Sequence, residues 1–277
     1  MRHPDSVNVL HAANNLSGMI PQIVDQYVEA IDTVAPGLLS GLYLTGSIAL
    51  GDYQPGRSDV DAIAVVSRDL TSADLVVLRN VHETALPDAP HVDAVYLTAD
   101  RFATQPSAAD VAPFSLERSF HTTEPCGQLG PVTWAELARY SVTVRGDEPS
   151  DLGVTWDAPT LDAWVRGNLT SYWGQHSAQT RAMLADAPEE VPLPEVSMLE
   201  WAVLGPPRLY YTVVTGDIAS KTAAGVWAAE RFPEHAELIG RCIRSRRGEQ
   251  ISATIGDARA ATDLIDAVIA RVTDCDG

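Results

Sequence analysis

The sequence predicts an α+β fold, with an N-terminal α/β domain built on a small sheet and a C-terminal all-α helical bundle. Short apolar runs rich in β-branched residues alternate with helical patterns in the first half of the chain. Beyond residue 159 the spacing of apolar residues is almost wholly helical. The Gly- and Pro-bearing segment Gly146–Pro159 is a candidate boundary, so we expect domains over residues 1–153 and 154–277.

The N-terminal elements follow from periodicity and turn signals. Apolar residues from Leu16 to Ile31 recur at helical spacing and predict an amphipathic helix interrupted near Pro21. The segment TSADLVVLRNVHETAL opens with Thr and Ser as cap candidates and predicts a second helix. Between residues 98 and 132 several prolines predict irregular structure. Strands are predicted over Gly41–Leu44, Asp59–Ser67 and His91–Asp100.

The C-terminal half contains five predicted helices. Their ranges are Leu161–Met183, Ser197–Thr215, Ser220–Arg231, Glu234–Arg246 and Gly256–Val272. The pair Pro206–Pro207 falls inside the second range, and because proline favours the first turn of a helix, Arg208 is expected at a helix start.

The charge balance is strongly acidic, with 37 Asp and Glu against 19 Lys and Arg and a formal charge of −18. A nucleic-acid partner needs a basic footprint and is therefore not expected, whereas a cationic small molecule suits this balance. No long apolar segment opens the chain, and Cys126, Cys242 and Cys275 show no paired spacing. We therefore expect no membrane span and a cytoplasmic protein with reduced thiols, a monomer or weak homo-oligomer.

Two aspartates interrupt an apolar run in the segment GLYLTGSIALGDYQPGRSDVDAIAVVS, residues 41–67. Asp59 and Asp61 are two positions apart on the predicted strand, so their side chains project on the same side. Two carboxylates that close repel each other unless a divalent cation lies between them. Paired oxygen ligands are typical of Mg²⁺, which keeps waters and substrate phosphates as further ligands. The pair therefore predicts a magnesium site.

Gly46 and Ser47 precede this pair and form a small-residue turn. The free backbone N–H groups of such a turn, together with a hydroxyl, bind phosphate oxygens. Asp93 occupies an equivalent position on the next predicted strand and is expected to reach the same face. The alternative is a polar strand end facing solvent, with an ordinary β-turn before it. The ordered succession of Gly-Ser, Ser-Asp-Val-Asp and an apolar strand favours the functional interpretation.

Two stretches carry a family resemblance. LTGSIALGDYQPGRSDVDAIAVV resembles the signature of the nucleotidyltransferase superfamily, and RLYYTVVTGDIASKTAAGVWAAERFPE resembles the C-terminal domain of streptomycin/spectinomycin adenylyltransferases. The resemblance implies a nucleotidyltransferase domain with a small mixed sheet and a helical domain that completes the ATP and acceptor site. It also implies transfer of AMP from ATP to a hydroxyl of an aminoglycoside-type antibiotic, with release of pyrophosphate. Two Mg²⁺ ions and ATP as co-substrate are implied with it.

The resemblance assigns roles to individual positions. The metal-binding aspartates fall on Asp59 and Asp61, the phosphate-contacting pair on Gly46 and Ser47, and the ATP-contacting cations on Arg208 and Lys221. The general base, a glutamate in the family, falls on Asp93. Since Asp93 is one methylene shorter than glutamate, it is either that base or a third metal ligand.

The sequence indicates the residues that bind the acceptor less clearly than those that bind the nucleotide. Trp164, Trp173 and Trp201 are candidates for lining an acceptor pocket, although aromatic residues at helical spacing also pack in cores. The stretch SMLEWAVLGPP, with Met198 and Trp201, is apolar where the family carries acidic and amide residues that bind the drug. The alternatives are therefore an adenylyltransferase for a different hydroxylated small molecule and a non-catalytic nucleotide-binding regulatory module.

Overall fold

A computed structural model describes residues 19–105, 107 and 109–274 of the chain. The predicted helix start at Leu16 and the third cysteine, Cys275, lie outside the described residues. The chain divides into two compact units, and the division falls between Asp157 and Ala158.

The first unit alternates helices and strands. Its helices are α1 Met19–Val34, α2 Gly46–Ala49, α3 Ser72–Asn80, α4 Ala99–Ala103 and α5 Pro131–Arg139, with a π-helical turn Val81–Ala85 after α3. Its strands are β1 Leu39–Leu44, β2 Val60–Val66, β3 Val92–Thr98, β4 Phe114–Leu116, β5 Ser119–His121 and β6 Val142–Arg145.

The six strands form one mixed sheet in the order β5-β4-β3-β2-β1-β6. The central strands β2 and β3 are parallel, and the other neighbouring strands pair antiparallel. The β2–β3 register places Asp61 opposite Asp93 and continues without a break to Val66 and Thr98. This register brings the second residue of each strand to the same end of the sheet.

Both faces of the sheet are buried, and the side chains of each strand alternate between them. One face carries even-numbered residues such as Ala62 and Tyr96 and packs against α1, whose buried residues Ile20, Val24 and Tyr27 follow helical spacing. The opposite face forms a second apolar cluster. It includes Tyr43, Ile63, Val65, Val95, Leu97, Phe102, Trp134 and Leu137, so α4 and α5 cover it.

A buried polar chain lies within the first of these clusters. The Tyr96 hydroxyl is 2.7 Å from His82 Nε2 and 2.8 Å from the Tyr27 hydroxyl. Burial lowers the pKa of His82 to about 4, against smaller opposing effects of the Val92 carbonyl and the Glu83 charge. His82 is therefore neutral at physiological pH.

The first unit departs from the sequence prediction at two places. Helix α1 continues through Pro21 without the expected break, because this proline lies within the first turn of the described helix, where proline is tolerated. The segment expected to be irregular contains α4 and the hairpin β4–β5. The two residues that join β4 to β5, Glu117 and Arg118, both have positive φ, of 47° and 68°.

The described part of the second unit is helical apart from an isolated β-bridge between Pro192 and Thr254. Its helices are α6 Ala158–Asn168, α7 Gly174–Met183, α8 Val196–Thr215, α9 Lys221–Ala229, α10 Ala236–Arg246 and α11 Ile255–Asp274, with a π-helical turn Leu169–Trp173 between α6 and α7 and a 3₁₀ turn Pro233–His235 before α10.

The expectation that Arg208 begins a helix is wrong. Helix α8 runs through Pro206 and Pro207, so Arg208 lies in its second half. A proline inside a helix removes a backbone hydrogen bond. Both prolines are buried, and the burial of apolar surface offsets that cost.

None of the described helices combines the length and the apolar character that crossing a bilayer requires. Cys126 and Cys242 are buried free thiols.

Candidate functional site

Asp59 and Asp61 lie at the start of β2, and Asp61 lies against the Gly46–Ser47 turn. Asp59 immediately precedes β2 and Asp61 is its second residue, so they share one side of the strand, as predicted. The Asp59 side chain is 44% exposed, and its Oδ1 lies 3.5 Å from His91 Nδ1. The strand alternation places Asp61 on the face that also carries Ile63 and Val65.

Asp93 is the third carboxylate at this end of the sheet, and the parallel register sets it beside Asp61. It is only 4% exposed. The Glu117 N–H donates to Asp93 Oδ1 at 3.0 Å. The pKa of Asp93 is raised to about 7, mainly by burial and then by the negative charges of Asp59 and Asp61, while the Glu117 N–H opposes the shift. The structure therefore brings the three predicted carboxylates into one electrostatic group.

Gly46 begins a single helical turn, α2, that lies directly against Asp61. The Thr45 N–H donates to the Asp61 carbonyl oxygen at 2.9 Å. Gly46 has a φ of +59°, and a Cβ added there would lie 2.8 Å from Asp61 Cγ and nearer still to Oδ2. Only glycine allows both this backbone conformation and this approach. Ser47 follows at the second position of α2.

Sequence reasoning missed Glu136. This residue of α5 is 5% exposed, and its Oε2 accepts a hydrogen bond of 3.0 Å from the Gly46 N–H. Its neighbours Trp134, Ala135 and Leu137 are buried as well. A carboxylate in the middle of a buried helical segment is unusual unless it forms a hydrogen bond. The acidic residue among apolar ones was therefore the signal in the sequence that could have identified Glu136.

The carboxylates fit a magnesium site that is completed by a ligand. Across residues 19–105, 107 and 109–274, no three His, Cys, Asp or Glu side chains are grouped closely enough to hold a metal ion by themselves. Mg²⁺ is usually bound through one or two carboxylates together with waters and substrate phosphates. Burial raises the pKa of Asp93 most, and the charges of Asp59 and Asp61 add repulsion of the kind that a divalent cation relieves.

Within the second unit, Arg208 and Lys221 are connected through the start of α9. Arg208 Nε donates to the Ala219 carbonyl oxygen at 3.1 Å. Ser220 caps α9, because its hydroxyl accepts from the Ala223 N–H at 3.1 Å. Lys221 is the first residue of the helix.

The aromatic candidates are only partly grouped. Trp173 and Trp201 have ring centroids 4.3 Å apart, and Tyr172 and His176 contact both rings. Trp173 is 4% exposed, so most of its surface packs inside this unit. Within the described part of the chain, the ring contacts of this cluster do not include Trp164.

Comparisons with known proteins agree with this architecture. Residues 25–108 match the model of the nucleotidyltransferase domain, and residues 178–271 match the model of the aminoglycoside adenylyltransferase C-terminal domain. Among solved structures, the chain is similar to spectinomycin adenyltransferase from Enterococcus faecialis, solved with ATP and spectinomycin. The TM-score is 0.66 at 16% identity, covering 91% of this chain and 99% of that one, and this likeness shows the fold. No curated protein matches the sequence.

Proposed function

Since the chain belongs to the nucleotidyltransferase superfamily and resembles the aminoglycoside adenylyltransferases, we propose that it transfers AMP from ATP to a hydroxyl of an aminoglycoside-type antibiotic and releases pyrophosphate. The observation that carries the proposal is that Asp61 pairs with Asp93 and lies against Gly46, with the charge of Asp59 acting on Asp93. A phosphate turn next to paired carboxylates is the arrangement that a metal–nucleotide complex requires.

Asp59 and Asp61 would hold Mg²⁺, with two ions in the full site. Bound Mg²⁺ supplies positive charge that stabilises the attacking and leaving oxygens of an in-line displacement. The two side chains supply oxygen ligands from one side of β2, and Gly46 leaves room for Asp61 to remain there. Asp61→Asn is therefore the substitution that tests the ligand set.

Asp93 would act as the general base. Its Oδ1 accepts the Glu117 N–H, which leaves Oδ2 to accept the proton of the acceptor hydroxyl. The acceptor oxygen then forms a bond to the α-phosphorus, the bond from that phosphorus to the bridging oxygen breaks, and pyrophosphate leaves.

The Gly46–Ser47 turn would contact the triphosphate. The Gly46 N–H donates to Glu136, so Gly46 contributes the shape of the turn. Ser47 is the residue of the pair whose hydroxyl and N–H suit a phosphate oxygen.

Arg208 and Lys221 would supply positive charge to ATP phosphates. A lysine in the first turn of a helix is unfavourable next to the positive end of the helix dipole. A phosphate bound at Lys221 removes that conflict, and Arg208 is held beside it through the Ala219 carbonyl.

The acceptor would bind the second unit at Trp201, whose ring packs on the buried ring of Trp173, with Trp164 as a further predicted contact. The net charge of −18 favours a cationic acceptor. A different hydroxylated acceptor is the second candidate, and the exposure of Met198, 57% on the helix that carries Trp201, favours it. An apolar side chain there suits a ligand with an apolar surface.

Pyrophosphate release tests the proposal. The purified chain with Mg²⁺ and ATP is offered streptomycin, spectinomycin and other hydroxylated antibiotics one at a time. We expect acceptor-dependent release that stops when Mg²⁺ is chelated. Release with a non-aminoglycoside alone would favour the second candidate, and no release with any acceptor would refute the transferase assignment.

The role of Asp93 has its own test. We expect Asp93→Asn to lower kcat, because the variant lacks the base. We expect its affinity for Mn²⁺ to stay unchanged. A parallel loss of Mn²⁺ affinity would instead identify Asp93 as a third metal ligand.

A further inference from the structure

Ser115 is a buried polar residue of the hairpin β4–β5, and the proposed function gives it no role. It is the middle residue of β4 and has no exposed surface. Its hydroxyl donates to the Val92 carbonyl oxygen at 2.8 Å and accepts from the Ala94 N–H at 3.0 Å. The first group belongs to the peptide bond before Asp93 and the second to the peptide bond after it. One hydroxyl therefore holds both peptide groups of the residue that carries the third carboxylate.

These two bonds lie where the backbone pairing of β3 with β4 stops. Within the described residues the register of the two strands consists of one pair, Val95 with Phe114. The Tyr96 N–H donates to the Pro113 carbonyl oxygen at 2.9 Å, on the side of that pair away from Asp93. At Asp93 a side chain therefore takes the part that backbone groups of a neighbouring strand take in a regular antiparallel ladder.

The same hairpin also bonds to the Asp93 carboxylate. The Glu117 N–H, two residues after Ser115, donates to Asp93 Oδ1 at 3.0 Å. The hairpin is held in turn by the π-helical turn that precedes β3, because the Phe120 N–H donates to Glu83 Oε1 at 3.2 Å. Three hydrogen bonds from one anchored hairpin thus act on one residue, two on its backbone and one on its side chain.

We propose that Ser115 is a positioning residue for the base, and that its hydroxyl fixes the backbone of Asp93 so that the carboxylate keeps one orientation toward the acceptor hydroxyl. The inference rests on the proposed function, because it takes Asp93 as the base. Displacement of a catalytic group by about 1 Å lowers the rate by about 10²-fold. A serine that only satisfied buried backbone groups would contribute to stability and leave kcat unchanged.

Ser115→Ala and Ser115→Cys test the inference as a graded pair. Alanine removes the hydroxyl, whereas the cysteine thiol keeps a weak donor and acceptor in its place. The assay uses the full chain with Mg²⁺, ATP and whichever of the tested antibiotics supports pyrophosphate release. We expect kcat to fall about 10–100-fold in Ser115→Ala and less in Ser115→Cys, at an unchanged Kd for ATP. The cysteine variant keeps the comparison readable if the alanine variant does not fold.

Amide hydrogen exchange, measured by NMR on the chain without ligand, reports on the bonds themselves. The N–H groups of Ala94 and Glu117 should be protected in the wild type and exchange about tenfold faster in Ser115→Ala. Ala94 loses its acceptor directly. Glu117 loses its acceptor because the Asp93 carboxylate no longer stays opposite the amide, and a merely structural serine would not produce this second effect.

Tyr43→Phe is the matched control, since the buried Tyr43 hydroxyl also donates to a backbone carbonyl oxygen, that of Asp147, at 2.8 Å. It should lose thermal stability and keep the wild-type kcat at a temperature where all variants are folded.

The outcomes separate the inference from the proposed function. A wild-type kcat in Ser115→Ala, unchanged exchange at Glu117, or an equal fall of kcat in Tyr43→Phe overturns the inference and leaves the proposed function standing. A rise in the Kd for ATP as large as the fall in kcat also overturns it, because the serine then supports the whole site. A wild-type chain that releases no pyrophosphate with any acceptor refutes the proposed function and the inference with it.

Discussion

A Gly46→Ala substitution introduces a methyl group where the Gly46–Ser47 turn lies against Asp61. The added Cβ would lie 2.8 Å from Asp61 Cγ, which is too close for any real contact. The Asp61 carboxylate must then move, or the turn must open. The positive φ of +59° adds a second cost, because an alanine in the left-handed region is disfavoured by about 1–2 kcal/mol.

Gly37→Ala is a control that carries only the second cost. Gly37 has a φ of +73°, and a Cβ there would meet nothing within 4 Å. It lies in the turn before β1, at the opposite end of that strand from Gly46. Both variants should therefore lose a similar amount of stability from the backbone, and only Gly46→Ala should move Asp61.

The assays are thermal unfolding and pyrophosphate release. We expect a Tm loss of about 2–4 °C for each kcal/mol in both variants. Displacement of a catalytic group by about 1 Å lowers rate by about 10²-fold, so kcat of Gly46→Ala should fall by at least that factor while Gly37→Ala stays near wild type. If the two variants turned over at the same rate, the contact between the turn and Asp61 would have no catalytic importance.

Three further predictions concern single side chains in the first unit. Asp61→Asn keeps the size of the side chain and removes its charge, so pyrophosphate release should be abolished at an unchanged Tm; retained release would exclude Asp61 from the metal site. Glu136→Gln keeps an acceptor for the Gly46 N–H, whereas Glu136→Ala does not. The Kd for ATP, measured by calorimetry, should therefore rise only in the alanine variant, about tenfold for a charged hydrogen bond worth about 1.5 kcal/mol. Equal Kd values in the two variants would mean that Glu136 does not hold the turn. Burial keeps the folded-state pKa of His82 at about 4, whereas an unfolded histidine titrates at about 6.5, so the unfolded state takes up the proton first as the pH falls. The wild type should therefore lose about 2 kcal/mol between pH 7 and pH 5 through this group, and urea unfolding of His82→Phe should lack that loss; the same pH dependence in both proteins would contradict the assignment.

Local patterns in the sequence were sufficient to predict the family and the central strands. The family resemblance is confirmed by the two domain models, and the prediction of an enzyme is confirmed with it. The pairing of Asp61 with Asp93 agrees with the expectation that equivalent positions on neighbouring strands share a face. Such expectations succeed because strand alternation is a local property of the chain.

Features that depend on long-range contacts or on uncommon backbone conformations were not predicted. The Glu136–Gly46 hydrogen bond joins residues 90 positions apart, and no spacing in the sequence signals it. The β4–β5 hairpin turns at Glu117 and Arg118, where Asn-Gly or Asp-Gly is the recognisable signal. Helix α8 continues through Pro206 and Pro207, as its predicted range required, but Arg208 lies in its second half and not at a helix start. In each case tertiary packing outweighs local preference.

The orientation of Asp93 is set partly from outside the central strands, by an amide in the tip of a hairpin whose strands have three residues each. Loops and short edge segments tolerate change far better than buried central strands. Under the proposed role of Asp93 as the base, laboratory evolution that varies only this tip is expected to redirect the carboxylate toward a new acceptor oxygen while β2 and β3 keep their sequence.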